Sequence, residues 1–315
     1  MKALSTSQSN AISIIRVMAM ILIVSCHITQ GYDQQIAFIL NVGVQIFFLL
    51  SGFLYGKIEI TSIASFVKKR FVKVYIPFIV VVLCSVAVYS IFHITVLSAK
   101  TVLLYLFDIQ GFIGGIEGLN HLWFLSVLMI CYIITPIAQK ILKYNKLWFV
   151  VLWVIACIAE FGFIQKMQSV VAWVMLYLLG ILWGKNENKW INTTLLIIST
   201  ILSLAMFSCF KIEYLFDPHM VRYNIVLHCI LALWIMTVLY CIFSKLEMRI
   251  PKWLQCCNDI SYEVYLVHHI LILGPLSLLF LTPSKTINIL LILIITFVLS
   301  YALNQLMNLE CLILF

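Results

Sequence analysis

The sequence predicts an all-α integral membrane protein, a polytopic bundle of about ten transmembrane helices with both termini in the cytoplasm. Three observations carry that reading. Of 315 residues, 64% are hydrophobic and only 10% are charged, with mean hydropathy +1.11. Soluble domains carry about 25% charged and about 45–50% apolar residues, so a chain this apolar would not stay in water. Apolar runs of about 20 residues, the length that spans a bilayer, succeed one another along the chain. Lysine and arginine, finally, gather in alternate loops.

The runs read as spanning helices are 11–29, 36–56, 74–94, 120–139, 147–164, 169–184, 191–209, 223–243, 260–281 and 286–309. Thr101–Gln110 is apolar but too short to cross, and Gly111, Gly114, Gly115 and Gly118 follow it. That segment reads as a re-entrant or interfacial piece of an external loop. No charged n-region, short apolar core and small-residue cleavage site stand in that order at the start, so the first run is read as a retained helix. No repeat, low-complexity tract or linker interrupts the pattern. Residues 1–315 are therefore expected to form a single transmembrane domain with no appended soluble domain.

The N-terminus and the loops after the second, fourth, sixth and eighth runs hold 14 lysines and arginines, against 5 in the intervening loops. Arg16 lies inside the first run. This asymmetry places both termini in the cytoplasm. It also turns the net charge of +8 from a nucleic-acid signature into a topology signal. The ten cysteines fall mostly in apolar runs and none forms a C-x-x-C pair. Cysteine behaves there as a small hydrophobe, so neither a disulfide framework nor a metal site is expected.

Ionisable groups inside membrane helices are costly and mark function by default. The first run carries Arg16 and His27, eleven residues apart, which is three turns plus about 20°. Both therefore share a face, about 16 Å apart along the axis, one in each half of the membrane. Taken alone, Arg16 reads equally well as snorkelling to the headgroups and His27 as a satisfied helix-end histidine. The second run contributes Asn41, Gly43, Gln45 and then Phe47–Phe53, whose small Ser51 and Gly52 permit close helix approach. The fourth opens with Asn120-His121-Leu122-Trp123, where Trp123 suits an interfacial belt. In the ninth, Ser261, Tyr265 and His268 recur at i, i+4 and i+7 on one face. Glu263 is expected near the cytoplasmic end, in contact with water.

Arg16 and His27 at their spacing, the Phe47–Phe53 run ending Ser-Gly-Phe, Arg70-x-x-Lys73 before Pro77, His121-Leu-Trp-Phe-Leu, and Ser261-Tyr-x-x-Tyr265-Leu-x-His268 occur in that order along the whole chain. Together they resemble the acyltransferase-3 family of integral membrane O-acyltransferases. Members of that family O-acylate cell-surface carbohydrates such as O-antigen, capsule, exopolysaccharide and peptidoglycan, or small molecules such as macrolides, usually from acetyl-CoA. The resemblance implies that Arg16 and His27 are the essential pair. It also implies that Arg70 and Lys73 meet a CoA phosphate at the cytoplasmic surface. Lys73 departs from the arginine-rich version of this motif, keeping the point charge but losing the bidentate fork. Many relatives append a soluble partner domain, and here transfer is expected to be completed by the membrane part or with a separate protein.

Acyl transfer to a hydroxyl requires a base for the hydroxyl proton and stabilisation of the oxyanion. On this reading His27 is the general base, His121 and His268 are further catalytic or positioning groups, and Arg16 holds the donor. Ser261, Tyr265 and Asn41 hydrogen-bond the pantetheine or the acceptor. No nucleophile elbow or Cys–His spacing supports an acyl-enzyme, so direct transfer is preferred. Expected partners are acyl-CoA, a carbohydrate or lipid-linked glycan acceptor and the lipids of a bacterial cytoplasmic membrane, without nucleic acid; self-association is left open. The alternative is a transporter or flippase using Arg16, His27 and His268 as a substrate or proton pathway, although the paired interrupted helices of such proteins are not visible. The basic asymmetry makes a direct prediction: reporters fused in Lys57–Val72 read cytoplasmic and those in Ile94–Leu119 read external. An external signal from the first loop would reverse the orientation.

Overall fold

A computed structural model describes residues 4–95, 97–163, 170–215 and 220–314, and among them no strand occurs. The helices are α1 (Thr6–Gly31), α2 (Ile36–Leu40), α3 (Gly43–Lys57), α4 (Ile63–Arg70) and α5 (Ile76–Ile91). After them come α6 (Ala99–Leu106), α7 (Gln110–Ile113), α8 (Trp123–Tyr144), α9 (Lys146–Phe163) and α10 (Val170–Asn186). The last are α11 (Lys189–Ser208), α12 (Val221–Phe243), α13 (Lys252–Asp259), α14 (Ser261–Ile272) and α15 (Lys285–Leu314). Local chemistry starts several of them. Ser5 and Gln8 form a reciprocal capping box ahead of α1. Ser62, Ser98 and Asn188 each accept an amide N–H three residues on, at α4, α6 and α11.

Among the described residues, seven helical stretches are long and apolar enough to span a membrane: Thr6–Gly31, Ile36–Lys57, Ile63–Ile91, Asn120–Tyr144, Lys189–Ser208, Val221–Phe243 and Lys285–Asn308. Their outer faces expose large hydrophobic side chains, including Ile133, Ile201, Leu204 and Val298. Lipid, not water, suits such faces. The chain is an all-α, multi-pass membrane protein.

Several predicted boundaries move. The run 36–56 is broken at Asn41–Val42 into α2 and α3. The run expected from 74 begins at Ile63, because α4 continues into α5 through a π-helical turn, Phe71–Tyr75. The helix expected over 260–281 stops at Ile272, where Gly274 and Pro275 remove the conditions for another turn. It is preceded by α13, which the hydropathy pattern did not mark. Thr101–Gln110 becomes part of two short helices, α6 and α7. Residues 164 and 169, at the ends of two predicted runs, lie outside the described residues.

The chain forms two compact units. The first comprises Met1–Leu22, Phe38–Thr61 and Ile130–Asn258. Its centre is the crossing of α3 and α10, where Gly52 and Gly56 face Gly180 and Gly184. A Cβ on Gly52 would stand 1.9 Å from the Tyr177 carbonyl oxygen, and one on Gly180 would stand 2.2 Å from that of Leu49. Two glycine pairs at spacing four thus bring the backbones together, as small-residue motifs do in membranes. Phe53, Trp183 and Tyr240 pack edge-to-face beside the crossing. Lys57 and Glu187 close its end with a 2.8 Å ion pair.

The second unit comprises Ile23–Ala37, Ser62–Met129 and Asp259–Phe315. In it α14 is packed against α15 and α5, and every residue of α14 except Tyr262 is buried. Glu263, expected in water, is instead 6% exposed and accepts a 3.1 Å hydrogen bond from Asn304 on α15. The packing of the first unit yields a test. Gly52→Val forces backbone apart from backbone, at a cost above the roughly 1–3 kcal/mol typical of overpacking. A markedly lower Tm in detergent is expected, while the outward-facing Ile197→Val leaves it unchanged. Equal melting of the two variants would disprove the close crossing.

Candidate functional site

Four imidazoles meet in the second unit, supplied by α1 (His27), the turn before α8 (His121) and α14 (His268 and His269). The His27 and His268 rings stack at 5.0 Å between centroids, and those of His121 and His269 stack at 4.5 Å. Edge-to-face contacts link the two stacks, with His27 and His269 at 4.7 Å and His121 and His268 at 5.2 Å. Reciprocal hydrogen bonds tie the 121 turn to α14. His121 Nε2 faces the Tyr265 carbonyl oxygen at 2.9 Å, and the Tyr265 hydroxyl donates to the His121 carbonyl oxygen. Gly118 fixes the approach of the same loop. It takes φ +81°, where a Cβ is strained, and its Cβ would meet the Gly274 Cα at 2.9 Å.

The partners fix where each proton sits. His268 Nδ1 lies 2.9 Å from the Val264 carbonyl oxygen and 2.8 Å from that of Tyr265. Carbonyls only accept, so His268 Nδ1 carries the hydrogen and Nε2 the lone pair. His27 Nδ1, 2.8 Å from that Nε2, must then donate, leaving His27 Nε2 as a free base. By the same rule His121 donates from Nε2 to the Tyr265 carbonyl, and His269 donates from Nδ1 to the Gly118 carbonyl at 3.1 Å. Their other nitrogens, His121 Nδ1 and His269 Nε2, hold lone pairs. Three basic nitrogens and one internal relay, with His27 half-buried and the other three histidines buried, make a site suited to taking a proton from a ligand. Among the described residues no group of three or more His, Cys, Asp or Glu has the arrangement of a metal site.

Of the residues singled out in the sequence, His27, His121, Tyr265 and His268 come together here. Ser261, the first residue of α14, is buried in the same unit. Arg70 ends α4 with its guanidinium 5.9 Å from the Phe66 ring centre, and Lys73 stands exposed on the π-helical turn. That turn reaches α14 directly, because the Tyr262 hydroxyl donates to the Val74 carbonyl at 2.7 Å. From Tyr262 to His268 the helix rises about 9 Å. Arg16 and Asn41 belong to the first unit. There Arg16 Nη1 donates to Asn258 Oδ1 at 2.8 Å, and Asn41 stands exposed at the break between α2 and α3.

His269 had not been singled out. Neighbouring residues on a helix diverge by about 100°, so a one-face pattern through Ser261, Tyr265 and His268 excludes it. The doubled histidine in an apolar run was the available signal. Asp108 was missed as well, inside a segment judged by its hydropathy. Its buried side chain joins Gln110 and Ser126, one turn of α8 beyond His121.

A family model described as an acyltransferase domain matches residues 9–305, nearly the full length described above. No curated protein and no solved structure matches the chain. The multi-pass helical fold and the order of motifs that ends in the clustered histidines agree with that one match: the chain belongs to the acyltransferase-3 family and is a membrane acyltransferase by membership.

Proposed function

We propose that this acyltransferase moves an acetyl or other short acyl group from acyl-CoA to a hydroxyl of a cell-surface or lipid-linked carbohydrate. The observation that carries the proposal is the proton relay ending at His27 Nε2. His27 Nε2 takes the proton of the acceptor hydroxyl as its oxygen attacks the thioester carbonyl carbon. The tetrahedral intermediate then expels the CoA thiolate, which takes the proton back from His27. His268 is a positioning residue. Its lone pair holds the Nδ1–H of His27, and that bond strengthens when His27 becomes cationic, as the carboxylate does in a serine hydrolase triad.

Arg70 and Lys73 are assigned to the CoA phosphates. A rise of about 9 Å along α14 separates their turn from the histidines, within the reach of an extended phosphopantetheine arm. Ser261 and Tyr265 lie along that path. Arg16 is assigned to the donor on its fixed charge and its match to the family's arginine. In the membrane we place ten crossings with both termini in the cytoplasm of a bacterial cell, on the basic asymmetry of the loops. The basic turn then faces the cytoplasmic pool of acyl-CoA.

Purified protein supplied with labelled acetyl-CoA and candidate glycans tests the reading. His27→Ala should lower transfer by about 10²- to 10⁴-fold with acetyl-CoA affinity and Tm retained. His268→Leu should lose most of the rate, whereas His268→Gln, whose side-chain oxygen can accept from His27, should recover part of it. Replacing Arg70 and Lys73 with glutamine should weaken acetyl-CoA binding, and Arg16→Lys should keep more of it than Arg16→Ala. A folded His27→Ala protein with wild-type transfer would sink the mechanism. Glycan uptake into vesicles without acyl transfer would return the protein to the transporter class.

A further inference from the structure

The loop entering α8 holds a second buried polar group, which the acyl-transfer chemistry above does not use. Asp108 Oδ1 accepts from Gln110 Nε2 at 3.0 Å and from Ser126 Oγ at 3.1 Å. Gln110 Nε2 also donates to the Leu122 carbonyl at 3.1 Å, and Ser126 Oγ accepts from the Gly111 amide at 3.3 Å. The directions are forced. Both partners of Gln110 Nε2 are acceptors, so turning the amide over would set oxygen against oxygen. These bonds pin the glycine-rich loop to the start of α8, and they use Asp108 Oδ1 alone.

Two oxygens are left, Asp108 Oδ2 and Gln110 Oε1, both fully buried and without a hydrogen-bond partner. His121 Nδ1, one residue before Leu122, is in the same condition. The three residues are 9%, 4% and 6% exposed, and all three atoms are acceptors. Buried acceptors without donors are rare in folded proteins because they are costly. Burial pushes the Asp108 carboxyl up to about 6 although Gln110 and Ser126 pull it down, so its free oxygen gains from any donor that a ligand brings.

We propose that Asp108 Oδ2, Gln110 Oε1 and His121 Nδ1 form the subsite that grips the hydroxyl-bearing acceptor, each taking a hydrogen from a polyol such as a hexopyranose. This rests on the proposed transfer to carbohydrate. A CoA phosphate would be repelled by Asp108, and the cationic turn of Arg70 and Lys73 already offers it a place. Adjacent hydroxyls on a sugar ring supply the several neutral donors that the three atoms lack.

Asp108→Asn keeps an oxygen at the Oδ1 position for Gln110 and Ser126 and turns the free acceptor into a donor. Ser126→Ala removes the two bonds that the hydroxyl makes, to Asp108 Oδ1 and from the Gly111 amide, and leaves Asp108 Oδ1 held by Gln110 and all three free acceptors in place. Binding of a set of methyl hexopyranosides to the full-length protein, followed by intrinsic tryptophan fluorescence, is measured beside label transfer from acetyl-CoA. Asp108→Asn should weaken the best glycoside by roughly 10- to 100-fold, the worth of a hydrogen bond to a charged group. Acetyl-CoA affinity should not change, and Ser126→Ala should bind the glycoside like the wild type. Transfer with glycoside affinity unchanged in Asp108→Asn overturns the subsite and leaves the acyltransferase reading intact. Asp108-dependent binding without transfer supports the subsite and counts against that reading. Absence of binding to every glycoside overturns the subsite. Should Asp108→Asn fail to fold, carbodiimide modification of Asp108 in the wild-type protein decides: protection by the glycoside supports the subsite, and equal labelling overturns it.

Discussion

Two backbone carbonyls, those of Val264 and Tyr265, set the direction of the histidine relay. They hold a hydrogen on His268 Nδ1, which leaves Nε2 able only to accept from His27. The Tyr265 carbonyl takes a second imidazole hydrogen from His121. In water such preferences would be weak, because solvent can satisfy either tautomer. In a dry interior a nitrogen that faces a carbonyl must carry the hydrogen, so one turn of helix backbone leaves the lone pair of His27 on Nε2.

That arrangement needs α14 to be buried on almost every side and short. Its twelve residues rise about 18 Å, well under the roughly 30 Å of a bilayer core. The helix ends where Gly274 lies against Gly118, and this close approach presents the Gly118 carbonyl to His269. A full-length span would have carried the chain past that contact. The same economy governs the first unit, where glycines on α3 and α10 replace side-chain packing with backbone contact. Lipid gives helices little hydrophobic reason to associate, so close fit and internal hydrogen bonds carry the association.

Seen this way, the polar residues of the second unit sort by what their second atom does. Glu263 gives one oxygen to Asn304, and Asp108 gives one to Gln110 and Ser126. His27, His121 and His269 each give one nitrogen to the backbone or to another imidazole, and His268 gives both. In both carboxylates one oxygen is fixed in the fold, and the other is buried without a hydrogen-bond partner.

The sequence by itself determined that the protein is a helical, multi-pass membrane protein, because composition and runs of about 20 apolar residues have few other solutions in lipid. It also determined the family, through five motifs in order, and picked out His27, His121, Tyr265 and His268 as polar groups where polarity is costly. Only the tertiary structure decided which of them meet. Helical periodicity gives the face a residue occupies but not the neighbour across from it, so the pairing of His27 with His268 and the recruitment of His269 depend on packing between distant segments. Proton positions are a further step removed, since they follow from the partner each nitrogen finds. Glu263 and Asp108 were misjudged or missed for the same reason: hydropathy averages over a window, whereas burial is settled atom by atom by whatever folds against it.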